Sequence, residues 1–276
     1  MKSLKADFFR EMKEGAEKYA GSSGNIELIV VGTDSQTEID IQIQQVEKLI
    51  GLGVDAMLIV PIDSKALVPV AVKAVKAGIT VVNIDIRLDE DILAASGTRI
   101  PFIGPDNKSA AIAVGEVLAF RMKEGDEVIL IEGLTGSDNA LQRASGFRQV
   151  IENHKLNLVA SAPADWETGK AAQTFDKLYK QYPNIRGVFC SNDAMAQGVI
   201  QILTKTGKPG KIRVVGFDND VSVQPLLDNG SLLATVNAYG SRMAIEGIEY
   251  VLKLRKGEKE QADYSTPYSL VYSILY

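Results

Sequence analysis

Polar side chains suited to binding a ligand follow most of the predicted strands, at the point where each strand ends. In the first half of the chain they are Asp34-Ser35, Asp63-Ser64, and Asp85 with Arg87. In the second half they are residues 136–143, the single Trp166, Asn192-Asp193 and Asp218-Asn219. Ligands bind at the carboxyl edge of open parallel sheets. The pattern therefore predicts one binding edge in each half, and two such edges facing each other make a cleft.

Groups that would mark a catalytic or metal centre are mostly missing from the sequence. The single His154 lies near a predicted helix end, which leaves no His pair for zinc and no Ser-His-Asp arrangement. No G-x-G-x-x-G follows a strand, and residues 207–210 predict a turn rather than a phosphate-binding loop. Cys190 closes an apolar strand and is expected to be a small buried hydrophobe. Asp and Glu remain as acid/base candidates, but no spacing selects a pair. We expect no enzyme, no metal and no cofactor.

The composition is that of a globular protein. The 276 residues are 46% hydrophobic and 24% charged, enough for two ordinary domains or one large one. The net charge of −5 offers nothing to attract nucleic acid or an anionic membrane. No apolar run reaches the roughly 18 to 20 residues of a membrane helix, and no signal peptide is visible.

Helices and short apolar strands alternate along both halves. A helix is predicted over 7–19, with Asp7 as its N-cap. Strands are predicted at 26–31, 56–60, 80–84, 102–104, 127–131, 156–162, 187–190, 212–217, 234–237 and 269–275. Continuous apolar strands separated by helices indicate parallel sheets covered on both faces. A long polar connection over 87–100 breaks the rhythm, which then restarts, so we expect two similar α/β lobes.

An ordered set of short motifs carries a resemblance to a known family. They are Ser3-Leu4 with Phe8-Phe9, residues 60–64, 82–85, 104–107, 131–133 with Gln142-Arg143, 163–166, 190–196, 214–218 and 234–236. Each motif is weak alone, but together they cover nearly the whole chain in order. On these motifs the chain resembles the periplasmic sugar-binding proteins of ABC transporters, of the ribose/allose-binding type.

The resemblance implies two Rossmann-like lobes (periplasmic binding protein-like I) joined by a three-segment hinge near 103–104, 236–237 and 266–267. The N-terminal lobe would comprise 1–103 plus 238–266 and the C-terminal lobe 104–237 plus 267–276. A monosaccharide, an allose- or ribose-like hexose or pentose, would be held between them and delivered to the permease of an ABC transporter. We expect a monomer that is periplasmic or extracellular and lipid-anchored, with the signal peptide and the family's first strand absent from this chain. A chemoreceptor is a second candidate partner, and no nucleic acid is expected.

The resemblance also assigns roles to individual residues. Phe8 and Phe9 would stack on one sugar face and Trp166 on the other. Asp85, Arg143, Asn192 and Asp218 would bind sugar hydroxyls, with Lys2 and Arg87 matching lysines of the allose-binding branch. The structural alternatives are a helix core for Phe8, a hydrophobic plug for Trp166, turn residues for Asp85 and Asp218, and a surface salt bridge for Arg143.

Some positions depart from the family pattern. Ala238 stands where the family has a Gln, and Asn237, one position earlier, is the candidate substitute, although adjacent strand residues point opposite ways. Ala6 and Ile86 stand where the ribose type has Asn and Arg, which points away from ribose itself.

Two other functions are alternatives to a sugar-binding transport protein. One is the effector-binding domain of a LacI-type repressor, which would need a basic DNA-binding headpiece, and the other is an enzyme on the same scaffold.

Overall fold

The computed structural model describes residues 1–207, 211–258 and 263–275. The helices of this part of the chain are α1 (Asp7–Ser23), α2 (Ile39–Leu52), α3 (Val68–Lys76), α4 (Glu90–Ala95), α5 (Asn107–Ala119), α6 (Asp138–Asn153), α7 (Thr168–Gln181), α8 (Asp193–Lys205), α9 (Gln224–Asp228) and α10 (Gly240–Arg255). The strands are β1 (Ala56–Ile59), β2 (Thr80–Ile84), β3 (Phe102–Pro105), β4 (Glu127–Glu132), β5 (Asn157–Pro163), β6 (Gly187–Cys190), β7 (Arg213–Val215), β8 (Ala234–Asn237), β9 (Tyr264–Thr266) and β10 (Ser269–Tyr272). No helix among them is long and apolar enough to cross a bilayer.

The chain divides into two compact units. The first comprises Met1–Pro105, Gly136–Asp138 and Tyr239–Pro267. The second comprises Asp106–Thr135, Asn139–Ala238 and Tyr268–Tyr276. The chain therefore passes between the units after Pro105, Ala238 and Pro267, and a three-residue segment of the second half groups with the first unit.

The first unit is built on a four-stranded sheet of order β1-β2-β3-β9, with every neighbouring pair parallel. Helices α2 and α3 cover an apolar core that includes Val46, Ile59 and Ala71. Helices α1 and α10 pack closely together: a Cβ on Gly15 of α1 would lie 2.0 Å from the Ser241 hydroxyl of α10. Glycine is thus required at this close helix approach.

The strand predicted at 26–31 is wrong, because residues 26–31 form no strand. An isolated parallel bridge between Ser3 and Thr33 is the nearest strand-like pairing, supported by the Met1 amine donating to Val31 O at 2.8 Å. A cavity of about 330 Å³ lies beside this segment and is lined by residues 26–31, by Met57 of β1 and by Ile248 of α10. Apolar sequence alone does not make a strand where the backbone has no ladder to join.

The second unit is built on a six-stranded sheet of order β10-β8-β7-β6-β4-β5. Its strands are parallel except β10, which runs antiparallel to β8 at the sheet edge. Strands β4 and β6 are buried almost throughout, as their continuous apolar runs predict. The core between the sheet and α7 and α8 includes Ile131, Phe175, Val188 and Val199.

Several local expectations differ from the structure. The connection over 87–100 contains α4, whose N-cap Asp89 accepts a hydrogen bond from Ile92 N. Asp7 is not an N-cap: Ala6 holds that position, and the Asp7 carboxylate pairs with Arg10 inside α1. The last strand ends at Tyr272 rather than at residue 275, and β9 was not predicted. Most of the turn predicted at 207–210 lies outside the described residues.

Candidate functional site

Arg143 of α6 is the centre of a polar cluster in the second unit. Its side chain is only 3% exposed. Nε donates to Asn107 Oδ1 at 2.8 Å, and Nη1 donates to Ser191 O at 2.8 Å and to Asp218 Oδ1 at 3.3 Å. The guanidinium is therefore fixed by the first residue of α5 and by the loops after β6 and β7, and the surface salt-bridge alternative for Arg143 is wrong.

Two aromatic rings flank the Arg143 guanidinium. Its Cζ lies 3.5 Å from the centroid of the Phe217 ring and 5.6 Å from that of the Trp166 ring. A planar cation over an aromatic face is attracted by the ring quadrupole. The rings restrict the orientation of the Arg143 guanidinium and shield its hydrogen bonds from water.

Trp166 is held in place by an unusual loop conformation. Asp165 and Trp166 both have positive φ values, 53° and 67°, which non-glycine residues adopt uncommonly. A Cβ on Gly133 would lie 2.1 Å from Trp166 Cη2, so the indole lies directly on the Gly133 backbone. Trp166 is 3% exposed and belongs to the core cluster of the second unit. It therefore fills core space, as the plug alternative requires, and also borders the Arg143 cluster.

Asp218 and Asn192 follow the ends of β7 and β6. The Asp218 side chain is 10% exposed and its backbone N–H donates to Val236 O at 2.8 Å. Asn192 is the N-cap of α8, its Oδ1 accepting from Met195 N at 2.9 Å. Within the described part of the chain the Asn192 NH₂ group has no hydrogen-bond partner, so it can donate to a ligand.

Asn237 is the last residue of β8 and is paired in register with Ser269 of β10. It is half-buried, whereas the neighbouring Ala238 is fully buried. The two neighbouring residues thus have different surroundings at the end of β8. A ligand-binding role for Asn237 stays a prediction.

In the first unit, Phe8 and Phe9 lie at the start of α1 and are both buried. Their rings meet edge to face, with centroids 5.3 Å apart. The Lys2 ammonium lies 5.6 Å from the centroid of the Phe9 ring, and Lys2 is 1% exposed. These three predicted residues form one group, with Gly240 packed directly against the Phe8 ring.

Asp85 is placed by a buried amide that sequence reasoning did not single out. Asn83 Nδ2 donates to Ile59 O at 3.1 Å and to Ile86 O at 2.7 Å, and its Oδ1 accepts from Leu88 N at 2.8 Å. Asp85 itself is 2% exposed with φ 68°. Asn83 therefore fixes the loop after β2 in the conformation that buries the Asp85 side chain.

Arg87, two residues further on, has protein partners. Its Nη1 donates to Glu90 Oε1 at 2.5 Å and also contacts the Asp263 carboxylate, and its Cζ lies 4.1 Å over the Phe102 ring. These contacts hold Arg87 beside a cavity of about 280 Å³. They favour a structural role for Arg87, and its role in ligand binding stays a prediction.

The structure thus brings Arg143, Trp166 and Asp218 together in the second unit, with Asn192 next to Ser191. Sequence reasoning assigned no role to four residues that position them, which are Asn107, Ser191, Phe217 and Thr235. It named Asp193 only as a polar residue after a strand, and it assigned no role to Asn83, which positions Asp85 in the first unit. Asp193 and Phe217 are adjacent to predicted residues, and a signal was present in their motifs. Asn107 closes the 104–107 motif and otherwise predicts only a helix start.

The clusters offer hydrogen-bonding groups rather than reactive ones. A fixed guanidinium beside a carboxylate presents several donors and acceptors at one place, which suits a ligand with adjacent hydroxyls. Among the described residues no group of His, Cys, Asp and Glu side chains could hold a metal ion. Burial raises the pKa of the Asp193 carboxyl well above its usual range, and the nearby Asp218 charge adds to this.

These features define the class: an α/β ligand-binding protein made of two sheet-based units. A family model described as "Periplasmic binding protein domain" matches residues 1–259. The chain belongs to this family, and the fold class predicted from the sequence is confirmed.

The sequence is similar to those of sugar-binding proteins over nearly its whole length. It is 39% identical over 276 residues to the D-ribose/D-allose-binding protein of Pseudomonas aeruginosa, covering 98% of this chain and 86% of the relative. It is 33% identical over 269 residues to the ribose import binding protein RbsB of Escherichia coli, covering 98% and 88%. These relatives are named as sugar-binding transport proteins, not as enzymes.

Solved structures agree on the fold. An ABC transporter solute-binding protein of Burkholderia multivorans has a TM-score of 0.95 and 40% identity, covering 98% of this chain and 96% of that chain. A periplasmic solute-binding protein of Actinobacillus succinogenes with bound D-allose has a TM-score of 0.93 and 29% identity, covering 98% and 95%.

Proposed function

We propose that this protein captures a monosaccharide for an ABC importer, and that Arg143, Asp218 and Asn192 bind its hydroxyl groups. The observation that carries the proposal is the Arg143 guanidinium, buried, stacked on Phe217 and hydrogen-bonded to Asp218. An arrangement built only for stability would gain little from a buried ion pair, because desolvation offsets most of the Coulomb attraction. A preorganised fork beside a carboxylate suits recognition of adjacent hydroxyls.

The sugar class rests on the named relatives. The Pseudomonas relative is a D-ribose/D-allose-binding protein, and the Actinobacillus structure holds D-allose. The departures at Ala6 and Ile86 point away from ribose itself, whereas Ala238 replaces a Gln of the whole family and does not distinguish the two sugars. We therefore place D-allose first among the candidate ligands and D-ribose second.

The proposed partner is the membrane permease of a sugar importer, and the proposed location is the periplasm. Both follow from membership of the periplasmic binding protein family. A chemoreceptor as partner, a monomeric state, a lipid anchor and the absence of nucleic-acid binding stay predictions. Lys2, Phe8, Phe9, Asp85, Arg87 and Asn237 also stay predicted ligand contacts.

The proposal is tested by calorimetric titration with D-allose, D-ribose, D-galactose, D-xylose and myo-inositol. D-allose should bind with the highest affinity. Asp218→Asn should weaken that binding at least tenfold, because it removes a charged acceptor of hydroxyl donors. The matched control is Arg148→Gln on the same helix as Arg143, where the side chain is exposed and pairs with Glu132. This control should bind as the wild type does.

Two results would overturn the proposal. One is a wild-type protein that shows neither heat of binding nor a rise in Tm with any of the five sugars. The other is sugar binding that Asp218→Asn leaves unchanged, which would move the ligand site elsewhere. Release of a modified sugar during incubation would instead indicate an enzyme.

A further inference from the structure

Asp193 is a fully buried acid directly beneath the loop that carries Asp218. It is the first residue of α8, and its own N–H donates to Phe217 O at 2.7 Å. Its two carboxylate oxygens have separate partners. Oδ2 accepts from Asp220 N at 3.0 Å, and Oδ1 accepts from Thr235 Oγ1 at 2.8 Å. The side chain therefore connects α8 to both the loop after β7 and strand β8.

The loop that Asp193 contacts has a demanding backbone conformation. Asp218 has φ 113° and Asn219 has φ 58°, values that favour glycine. Such conformations persist only where the surroundings hold them. Here the Asn219 N–H donates to Thr235 Oγ1 at 3.3 Å, and the same hydroxyl donates to Asp193. Asp193 is thus the final acceptor for hydrogen bonds that fix the backbone at both Asn219 and Asp220.

The space around Asp193 admits no larger group. A Cβ on Gly216 would lie 2.0 Å from Asp193 Oδ1. The end of β7 therefore runs against the carboxylate itself, and a longer acid or a side chain at position 216 would displace the loop. The fit is specific for an aspartate facing a glycine.

The charges explain the direction in which Asp218 points. Asp193 and Asp218 are both acids, and burial followed by the Asp218 charge raises the pKa of Asp193. Arg143 Nη1 lies 3.3 Å from Asp218 Oδ1. Attraction to Arg143 favours the pose in which the Asp218 carboxylate meets the guanidinium.

We propose that Asp193 is a positioning residue for the ligand site: by accepting from Asp220 N and Thr235 Oγ1, it fixes the loop that presents the Asp218 carboxylate to a sugar. The inference rests on the proposed function, in which Asp218 binds sugar hydroxyls. Asp193 itself does not contact the ligand.

The test uses Asp193→Asn, which keeps the shape but replaces one acceptor oxygen by a donor. D-allose affinity, measured by calorimetry, should fall at least tenfold. The hydrogen-exchange protection factors of the Asn219 and Asp220 amides, measured by NMR in the sugar-free protein, should fall at least tenfold. The matched control is Asp176→Asn on α7, an exposed acid that pairs with Lys180, which should change neither quantity.

A positioning role also predicts rescue and non-additivity. Thr235→Val should expose the Asn219 amide to exchange and weaken binding, whereas Thr235→Ser, which restores the hydroxyl, should behave as the wild type. In protein that already carries Asp218→Asn, adding Asp193→Asn should reduce the remaining affinity less than threefold. A merely structural effect of Asp193 would lower affinity equally in both backgrounds.

The outcomes separate this inference from the proposed function. A wild type that binds none of the sugars refutes the proposed function, and the exchange measurements at Asn219 and Asp220 still decide whether Asp193 fixes the loop. A wild type that binds D-allose, with Asp193→Asn unchanged in affinity and exchange, refutes the positioning role. If Asp193→Asn does not fold, the positioning role is tested by comparing Thr235→Val with Thr235→Ser in sugar affinity and in exchange of the Asn219 amide. Equal behaviour of the two variants would refute it.

Discussion

The Arg143–Asp218 pair should show strong energetic coupling in a double-mutant cycle. Arg143→Met removes the cation and leaves a carboxylate that is only 10% exposed without its charged partner. Breaking a buried pair in this way costs about 3–5 kcal/mol. Asp218→Asn removes one charged hydrogen bond, worth about 1.5–3 kcal/mol. In the double variant no buried charge remains uncompensated, so the loss should be smaller than the sum by about 1–3 kcal/mol.

The measurement is urea unfolding at 25 °C, followed by emission of the single Trp166, which lies in the same unit as the pair. Domains are stable by about 5–15 kcal/mol, so the single variants remain measurable. The dependence of unfolding free energy on urea concentration should stay the same across the four proteins, which is the condition for comparing them.

The control cycle uses the exposed pair of Arg148 and Glu132, whose side chains are 46% and 23% exposed. Its coupling should be below about 1 kcal/mol, as for other surface ion pairs. If the variants at Arg143 and Asp218 are additive within about 0.5 kcal/mol, the two charges do not act on each other, and the reasoning about the site is refuted.

Three further variants test features of the two units. Gly133→Ala places a methyl where Trp166 Cη2 would be 2.1 Å away, so the Trp emission maximum should shift and stability should fall by about 1–3 kcal/mol. Asn83→Ala removes three buried hydrogen bonds of the Asp85 loop, and chemical unfolding should show a loss of about 2–4 kcal/mol. Asp193→Asn should change the pH dependence of stability. The raised pKa of Asp193 in the folded state means that its contribution is fully present below the ordinary pKa of about 4 and is lost as pH rises. The wild type should therefore lose stability relative to Asp193→Asn as pH rises above about 4.

Each of these variants has a result that contradicts its premise. An unchanged emission spectrum in Gly133→Ala would mean that the indole does not rest on the Gly133 backbone. If Asn83→Ala lowered the free energy of unfolding by less than about 0.5 kcal/mol, the Asp85 loop would keep its conformation without the Asn83 hydrogen bonds. Parallel pH profiles for the wild type and Asp193→Asn would mean that Asp193 titrates alike in the folded and unfolded states.

The second unit shows how much a sequence can predict. Buried parallel strands read as continuous apolar runs, and the runs predicted β4, β6 and β8 closely. Arg143 and Asp218 were singled out from motif resemblance, and the structure places them together. Asp193 was named only as a polar residue after a strand, because a buried acid next to a candidate residue has no distinct signature until its partners in β8 and the loop after β7 are known.

The first unit shows why the rest could not be predicted. Residues 26–31 have the composition of a strand, but strand formation depends on a neighbouring backbone that composition does not report. Helix α4 was missed because its six residues fall within a polar stretch without a clear apolar period. The partners of Arg87 were hidden for a similar reason: Asp263 is distant in sequence and is brought close only by the pairing of β9 with β3.

The cavity between residues 26–31 and β1 affects the order in which the two units unfold. Its lining includes β1, the edge strand of the four-stranded sheet, whereas the sheet of the second unit has six strands. Regions with poorly packed apolar surface open at lower free energy than well-packed ones. The first unit should therefore melt first in a stepwise denaturation, leaving a partly folded species in which the Arg143 cluster is still intact. Such a species would expose apolar surface that promotes aggregation. Precipitation on heating should therefore begin before the fluorescence emission of Trp166 changes.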